Sequence, residues 1–474
     1  MVKMDQRAAS AANRFGLGAR GDEIARIGGD PRGWLLAQVA GKDRDDPFAG
    51  LPDSGAYLDQ YHDYLRQRRE MRDRQRAGKD GDAMQANGRR DFRRAQQREF
   101  VLRQRVAATT ARPFAERLVR FWSNHFAISV DKFQASLFAG PMEREAIRPH
   151  LAGRFADMLL AVERHPGMLV YLDNAQSIGV ESRLGAQSAR RAQRNPEARK
   201  RGLNENLARE ILELHTLGVD GGYAQGDVAE LARAITGWSV ARPVDRERRG
   251  GDAFVFRAVA HEPGARRVLG KAYAQAGEVQ GEAILRDLAM HPATARHLAL
   301  KLARHFVADQ PPPALVERMA KAYLASGGEL TALYRTMVED DAAWSPTAGK
   351  FKSPEDFIVS ALRACELRDD GDLALGVRLQ GQLGQPVFQP RSPAGFGDVA
   401  ADWGGPDALF KRVQAAQALA ERLPASADAT PQAIGEAALG VGLDGETAKA
   451  LRRAESVQQG VALLLASPAF QWRR

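Results

Sequence analysis

The side chains best suited to chemistry fall in one stretch, residues 204–218, which reads Asn-Glu-Asn-Leu-Ala-Arg-Glu-Ile-Leu-Glu-Leu-His-Thr-Leu-Gly. At 100° per residue, Leu203, Leu207, Ile211 and Leu214 form one apolar stripe, and Glu210 falls on it. Asn206, Glu210 and Glu213 share one edge of the stripe, while Asn204 and His215 share the other. A carboxylate on a covered face must be paired or must bind something. Two readings follow. Glu210 and Glu213, with His125 and His215, are candidate catalytic groups for acid–base work or, joined by a histidine from another helix, for metal ligation. Alternatively they form an internal ion-pair network, for instance Glu210 with Arg233. The spacing matches neither Glu-x-x-His nor His-Glu-x-x-His, so no metal or cofactor is assigned.

Candidate binding groups surround this stretch: Asn124, Asn204, Asn206, Arg209, Tyr223, Arg233, Trp238 and His261. Asn124 and His125 are polar residues at the end of an apolar, aromatic helix and need partners there. The loop Gly218–Gly222 leads through Tyr223 to a second helix, expected over Asp227–Trp238. Asp220 and Asp227 suggest a calcium loop only faintly, because oxygen ligands are missing at the third and fifth positions of the EF-hand template. His261 follows a strand-like run, Phe254-Val255-Phe256. Lys301, Arg304 and His305 lie close together on another helix, at no motif spacing.

The elements that must position these groups are helices. The pattern predicts a mostly α protein, a multi-helix globular bundle with at most a small β-hairpin. Helices are expected over 113–126, 142–161, 203–217, 292–306, 354–367, 406–420 and 447–466, among others. Two polar helices, 57–77 and 89–110, predict a projecting arginine-rich hairpin interrupted near Gly78–Asp82. Residues 178–202, polar and rich in arginine and glycine, read as a loop or strap. The chain divides on this reading into the hairpin (57–112), a central helical core with the polar motif (113–310) and a C-terminal helical part (311–474), all within one domain spanning 1–474.

Composition excludes several classes. One cysteine, Cys365, rules out an intramolecular disulfide and a cysteine-rich zinc site. No apolar run approaches the roughly 18 residues of a membrane span. The residues Met1–Gln6 carry no apolar run, so a cytoplasmic protein is expected, or an exported one if a leader has been removed. There is no P-loop, no G-x-S-x-G and no dinucleotide fingerprint in a βαβ unit. The net charge is +9, but residues 65–105 hold 14 Arg/Lys against 6 Asp/Glu, so the basicity is local to the hairpin.

The chain resembles the bacterial family catalogued as domain of unknown function 1800. The resemblance rests on Phe121-Trp122-x-Asn124-His125-Phe126, on Met168-Leu169-x-Tyr171-Leu172-Asp173-Asn174, and on residues 204–210 and 213–218. It continues through Asp220-Gly221-Gly222-Tyr223, Leu231-Ala232-Arg233-Ala234, Thr236-Gly237-Trp238, His291–Ala295, Lys352-Ser353-Pro354, Leu383–Pro386 and Ser467-Pro468-x-Phe470-Gln471. It implies no activity. It implies a protein partner from a neighbouring phosphatase-like family and, commonly, export. Three positions depart from the family pattern: Ser123 stands where a histidine is usual, Ala224 where threonine would cap a helix, and Glu262 follows His261 in place of aspartate.

Three functions stay open on the sequence. The first is an enzyme or a cofactor- or metal-binding protein with a polar pocket around 204–238. The second is a structural or partner-binding protein whose polar motif is an internal network. The third binds nucleic acid or an acidic surface through the 65–105 hairpin.

Overall fold

The computed structural model describes residues 2–41, 46–76, 82–194, 202–242, 244–245, 253–345, 349–424 and 429–474. The protein is mostly helical, with three short two-stranded sheets among the described residues. The helices used below are α1 (Ser54–Arg76), α2 (Asp82–Thr109), α3 (Pro113–His125), α4 (Phe155–Arg164), α5 (Arg183–Arg194), α6 (Asn206–Glu210), α7 (Gln225–Ala234), α8 (Pro292–Phe306) and α9 (Pro354–Ala364).

Two apolar cores organise them. The larger draws on residues 8–344 and includes Trp122, Phe126, Phe155, Leu212, Trp238, Leu298 and Phe306. The smaller draws on 357–470, with Ala108 of α2 inserted into it. Buried ion pairs join the cores. Arg117 on α3 meets Asp356 on α9 at 2.5 Å, and Arg473 meets the same carboxylate at 3.3 Å. Arg103 and Arg120 both reach Glu355, and Arg363 reaches Glu23 at 2.8 Å. Such pairs offset their desolvation only through close geometry and added hydrogen bonds. Arg363 meets that demand by also donating to Gly18 O and Ala107 O.

The two helices expected for the hairpin are present as α1 and α2; the interruption at 77–81 lies outside the described residues. Tyr64 and Phe92 are buried and stack edge-on at 5.2 Å against each other, with Phe133 beneath them. The last turns of α2 are not solvated: Arg103 and Gln104 are buried, and Arg103 pairs with Glu143.

Five local expectations are revised. The helix expected over 142–161 breaks after His150 and resumes as α4 at Phe155, and that expected over 447–466 is split into Gly445–Arg452 and Val457–Ala466. The strap at 178–202 contains α5, because Ser182 Oγ accepts from Gly185 N at 3.0 Å and no proline follows before Pro196. The helix expected to reach Trp238 ends at Ala234. Thr236 Oγ1 donates to Arg233 O and Gly237 turns left-handed at φ 85°, so Trp238 opens strand β1 (Trp238–Val240). That strand pairs antiparallel with β2 (Phe254–Phe256), the run read as strand-like in the sequence. The helix expected from Leu203 starts at Asn206, whose N–H donates to Asn204 Oδ1 at 2.9 Å.

Candidate functional site

Helix α6 does not remain α-helical. From Ile211 to Thr216 it runs as a π turn, with Leu217 N–H donating to Leu212 O and Thr216 Oγ1 donating to Ile211 O. A π turn widens the helix and shifts every later side chain relative to a 3.6-residue projection. His215 therefore enters the core, fully buried, and its Nδ1–H donates to Glu163 Oε1 on α4 at 2.7 Å. The backbone carbonyl of His215 in turn accepts from His125 Nε2–H at 3.1 Å. The His125 ring lies 6.2 Å from the rings of both His215 and His297. His297 donates its Nε2–H to Leu214 O at 3.1 Å. Gly218 permits this approach: it sits at φ 87°, and a Cβ there would lie 2.9 Å from His297 Nδ1.

Glu210 and Glu213 sit apart from these histidines. Glu210 is partly buried and its carboxylate makes no hydrogen bond among the described residues; burial raises its pKa, with His215 opposing and Glu213 reinforcing. Glu213 accepts from Tyr223 OH at 3.2 Å. Arg209 donates to Gln225, which donates to Glu205. Asn206 is exposed. Arg233 pairs with Glu230, not with Glu210. His261 Nδ1–H donates to Thr236 O at 3.0 Å, and Trp238 is buried beneath the Arg164 guanidinium at 5.2 Å. Where the sequence lacks a threonine cap at position 224, Asp227 Oδ2 accepts from Ala224 N–H at 2.8 Å and secures the start of α7.

The sequence candidates thus separate into three places. His125 and His215 meet inside. Arg209, Glu210, Glu213 and Tyr223 share an outer edge. Arg233, Trp238 and His261 belong to the α7–β-hairpin junction. No group of three or more His, Cys, Asp or Glu side chains is arranged to hold a metal ion among the described residues. Cys365 is buried and its thiol is pushed up to about 12 by that burial, which suits packing and not nucleophilic attack.

Two candidates, Asn124 and His125, line a cleft of about 300 Å³ between the two cores. Its other walls are Lys301, Arg304 and His305 of α8, Arg117 and Arg120 of α3, Glu355 and Asp356 of α9, and the loop 394–402. Asn124 pins that loop with both ends of its amide: Nδ2 donates to Phe396 O at 3.0 Å and Oδ1 accepts from Phe396 N–H at 2.8 Å. Gly395 makes this possible. It adopts φ 80°, and a Cβ would lie 2.4 Å from Asn124 O. The pinned loop brings Asp398 to His305, whose Nδ1–H donates to Oδ2 at 2.8 Å. His305 Nε2 is buried and has no hydrogen-bond partner among the described residues.

The carboxylates of this cleft are committed. Glu355 holds Arg103 and Arg120, Asp356 holds Arg117 and Arg473, Asp398 holds His305, and Asp402 accepts from Val399 N–H. Two cations are not. Lys301 has no hydrogen bond or ion pair among the described residues, and Arg304 donates only to Asp309 O at 3.3 Å. Burial lowers the Lys301 pKa to about 8; Asp398 opposes the shift and Arg304 adds to it. Burial, then Lys301, hold His297 down at about 4, and the same causes push His125 well below its usual range. Burial likewise lowers His305, against the pull of Asp398.

Sequence reasoning missed Glu163, His297 and Asp398. A signal existed for His297: with Lys301 and His305 it forms an i, i+4, i+8 stripe on a helix whose other face is apolar. Asp398 carried none, since only the fold brings that loop to α8. The hairpin's buried aromatics, Tyr64 and Phe92, are turned inward and so cannot stack on bases.

Fold and cleft together define a mostly α-helical protein with a polar cleft between two helical cores. The chain belongs to the family described as Protein of unknown function (DUF1800), which matches residues 10–472. No curated protein and no solved structure matches it. No described helix is long and apolar enough to cross a membrane.

Proposed function

We propose that the chain binds a small organic anion in the cleft lined by Asn124, His125, Lys301, Arg304, His305 and Asp398. The observation that carries this reading is the asymmetry of partners there. Each carboxylate already accepts a hydrogen bond, whereas among the described residues Lys301 has no partner and Arg304 has one backbone carbonyl. A partly buried, unpaired cation is costly unless something balances it. A planar guanidinium beside an ammonium suits a carboxylate or phosphate. The volume of about 300 Å³ lies at the small end of ligand pockets.

In this reading the 204–218 segment serves the cleft from behind. His215, held by Glu163, presents its carbonyl to His125 and fixes the back wall. Glu210, Glu213, Arg209 and Tyr223 then organise the outer edge of α6 and do not touch the ligand.

Isothermal titration with glycolate, succinate and inorganic phosphate tests the proposal. At least one should bind, more weakly as ionic strength rises, and Lys301→Met should weaken it tenfold or more. If none binds, or if Lys301→Met leaves the affinity unchanged, the reading falls.

A further inference from the structure

Resting on the anion-cleft reading, we propose that Lys301 is a nucleophile for small 2-oxo acids, which it holds in the cleft as an imine. Three features of the site point to this class. The first is the amine itself, on a helix whose apolar face is buried, lining a cleft and bound by no acidic partner among the described residues. Lysines in such surroundings usually pair; an unpaired one keeps its lone pair available. Its lowered pKa, about 8, leaves an appreciable share of free amine near neutral pH.

The second feature is Arg304, three residues on and so on the same side of α8, whose guanidinium suits the carboxylate of the acid. The third is His305, one turn from Lys301 on the same face. With Nδ1–H donating to Asp398, its Nε2 carries a lone pair that has no partner among the described residues. That is the arrangement of a general base oriented by a carboxylate.

The chemistry balances without an oxidant or reductant. The Lys301 nitrogen lone pair attacks the 2-oxo carbon, and the carbonyl π pair moves to oxygen. The ammonium formed on nitrogen gives one proton to His305 Nε2, and the alkoxide takes a second proton from solvent hydronium to complete a carbinolamine, so that the C=N product is the protonated imine. Protonation of that hydroxyl by His305 lets it leave as water while the nitrogen lone pair closes the C=N bond. One water is released and the acid's carboxylate stays on Arg304.

Reductive trapping tests the step on the full chain. The protein is incubated with glyoxylate or pyruvate and sodium cyanoborohydride, digested and mapped by mass spectrometry. The Lys301 peptide should gain the reduced adduct at least ten times faster than the peptides of exposed Lys271 and partly buried Lys132. Glycolate, which carries the carboxylate but no carbonyl, should compete. Lys301→Arg, confirmed folded by circular dichroism, should show no adduct on that peptide while Lys271 and Lys132 label as in the wild type. His305→Gln, confirmed folded by circular dichroism, should slow trapping at Lys301 at least tenfold while adduct formation at Lys271 keeps its wild-type rate. Equal labelling of Lys301 and Lys271, or none at Lys301, overturns the imine. If glycolate still binds the wild type in that event, the cleft reading stands alone; if it does not, both fall.

Discussion

His215 donates its Nδ1–H to Glu163 Oε1 at 2.7 Å, and neither side chain has any solvent exposure. The pair ties the π turn of α6 to α4 and, through the His215 carbonyl, to His125. Removing one member leaves a buried polar group unpaired, which costs about 3–5 kcal/mol when the partner is a charge. Glu163→Ala should therefore lower stability by about 3 kcal/mol or more. The double variant with His215→Ala should lose less than the sum of the two singles, because both remove the same interaction. Urea unfolding of the four proteins measures this; strict additivity would contradict the coupling.

The junction between the cores should prove equally sensitive. Asp356 faces Arg117 and Arg473; burial pushes its carboxyl up, but the combined pull of Arg117, Arg473 and His305 holds it well below the usual range. Asp356→Ala strands two buried guanidiniums, and a loss of about 3–5 kcal/mol is expected. A change under about 1 kcal/mol, the worth of an exposed pair, would mean the junction is open to water.

Stability should fall with acid across a window set by the buried histidines. Burial holds His297 at about 4, below its value in the unfolded chain, near 6.5. A group whose folded pKa is depressed takes up its proton first in the unfolded state. Its contribution is thus complete above about 6.5 and is lost as pH falls toward about 4. His125 acts in the same direction. Thermal midpoints from pH 7.5 to 4 should drop more steeply for the wild type than for His297→Gln. Parallel curves would refute the assignment.

Glu210 should behave in the opposite sense. Its pKa is raised, chiefly by burial, so the folded protein prefers the protonated form and the ionised form opposes folding at neutral pH. Any stability it lends is present at low pH and lost as pH rises through its folded pKa. Glu210→Gln should leave stability at pH 7 unchanged or raise it by up to about 0.5 kcal/mol. A drop of about 2 kcal/mol, measured by chemical denaturation, would instead show a paired carboxylate.

Gly395 should be intolerant of any side chain. Its positive φ and the 2.4 Å approach to Asn124 O leave no room for a Cβ. Gly395→Ala should cost about 1–3 kcal/mol and shift the loop that carries Asp398. Anion affinity should fall with it, while Gly405→Ala, where a Cβ meets nothing, should leave affinity intact. Titration calorimetry of both variants separates a local effect from a general one.

The sequence by itself determined the helical class, the helices at Pro113–His125, Pro292–Phe306 and Pro354–Ala364, and the hairpin strand Phe254–Phe256. Apolar periodicity and N-terminal prolines are local signals, and local signals survive in a string of letters. It also marked His125 and His215 as residues in costly places. Tertiary structure alone decided which of the polar residues share a site. The π turn at 211–216 depends on a hydrogen-bond register that no 3.6-residue projection contains, and it sends His215 to Glu163 while Glu210 and Glu213 stay on the outer edge. The cleft depends on Asn124 pinning a loop 272 residues away, which brings Asp398 to His305. Contacts at that separation are set by how the two cores pack, and packing is a property of the folded chain and not of any segment within it.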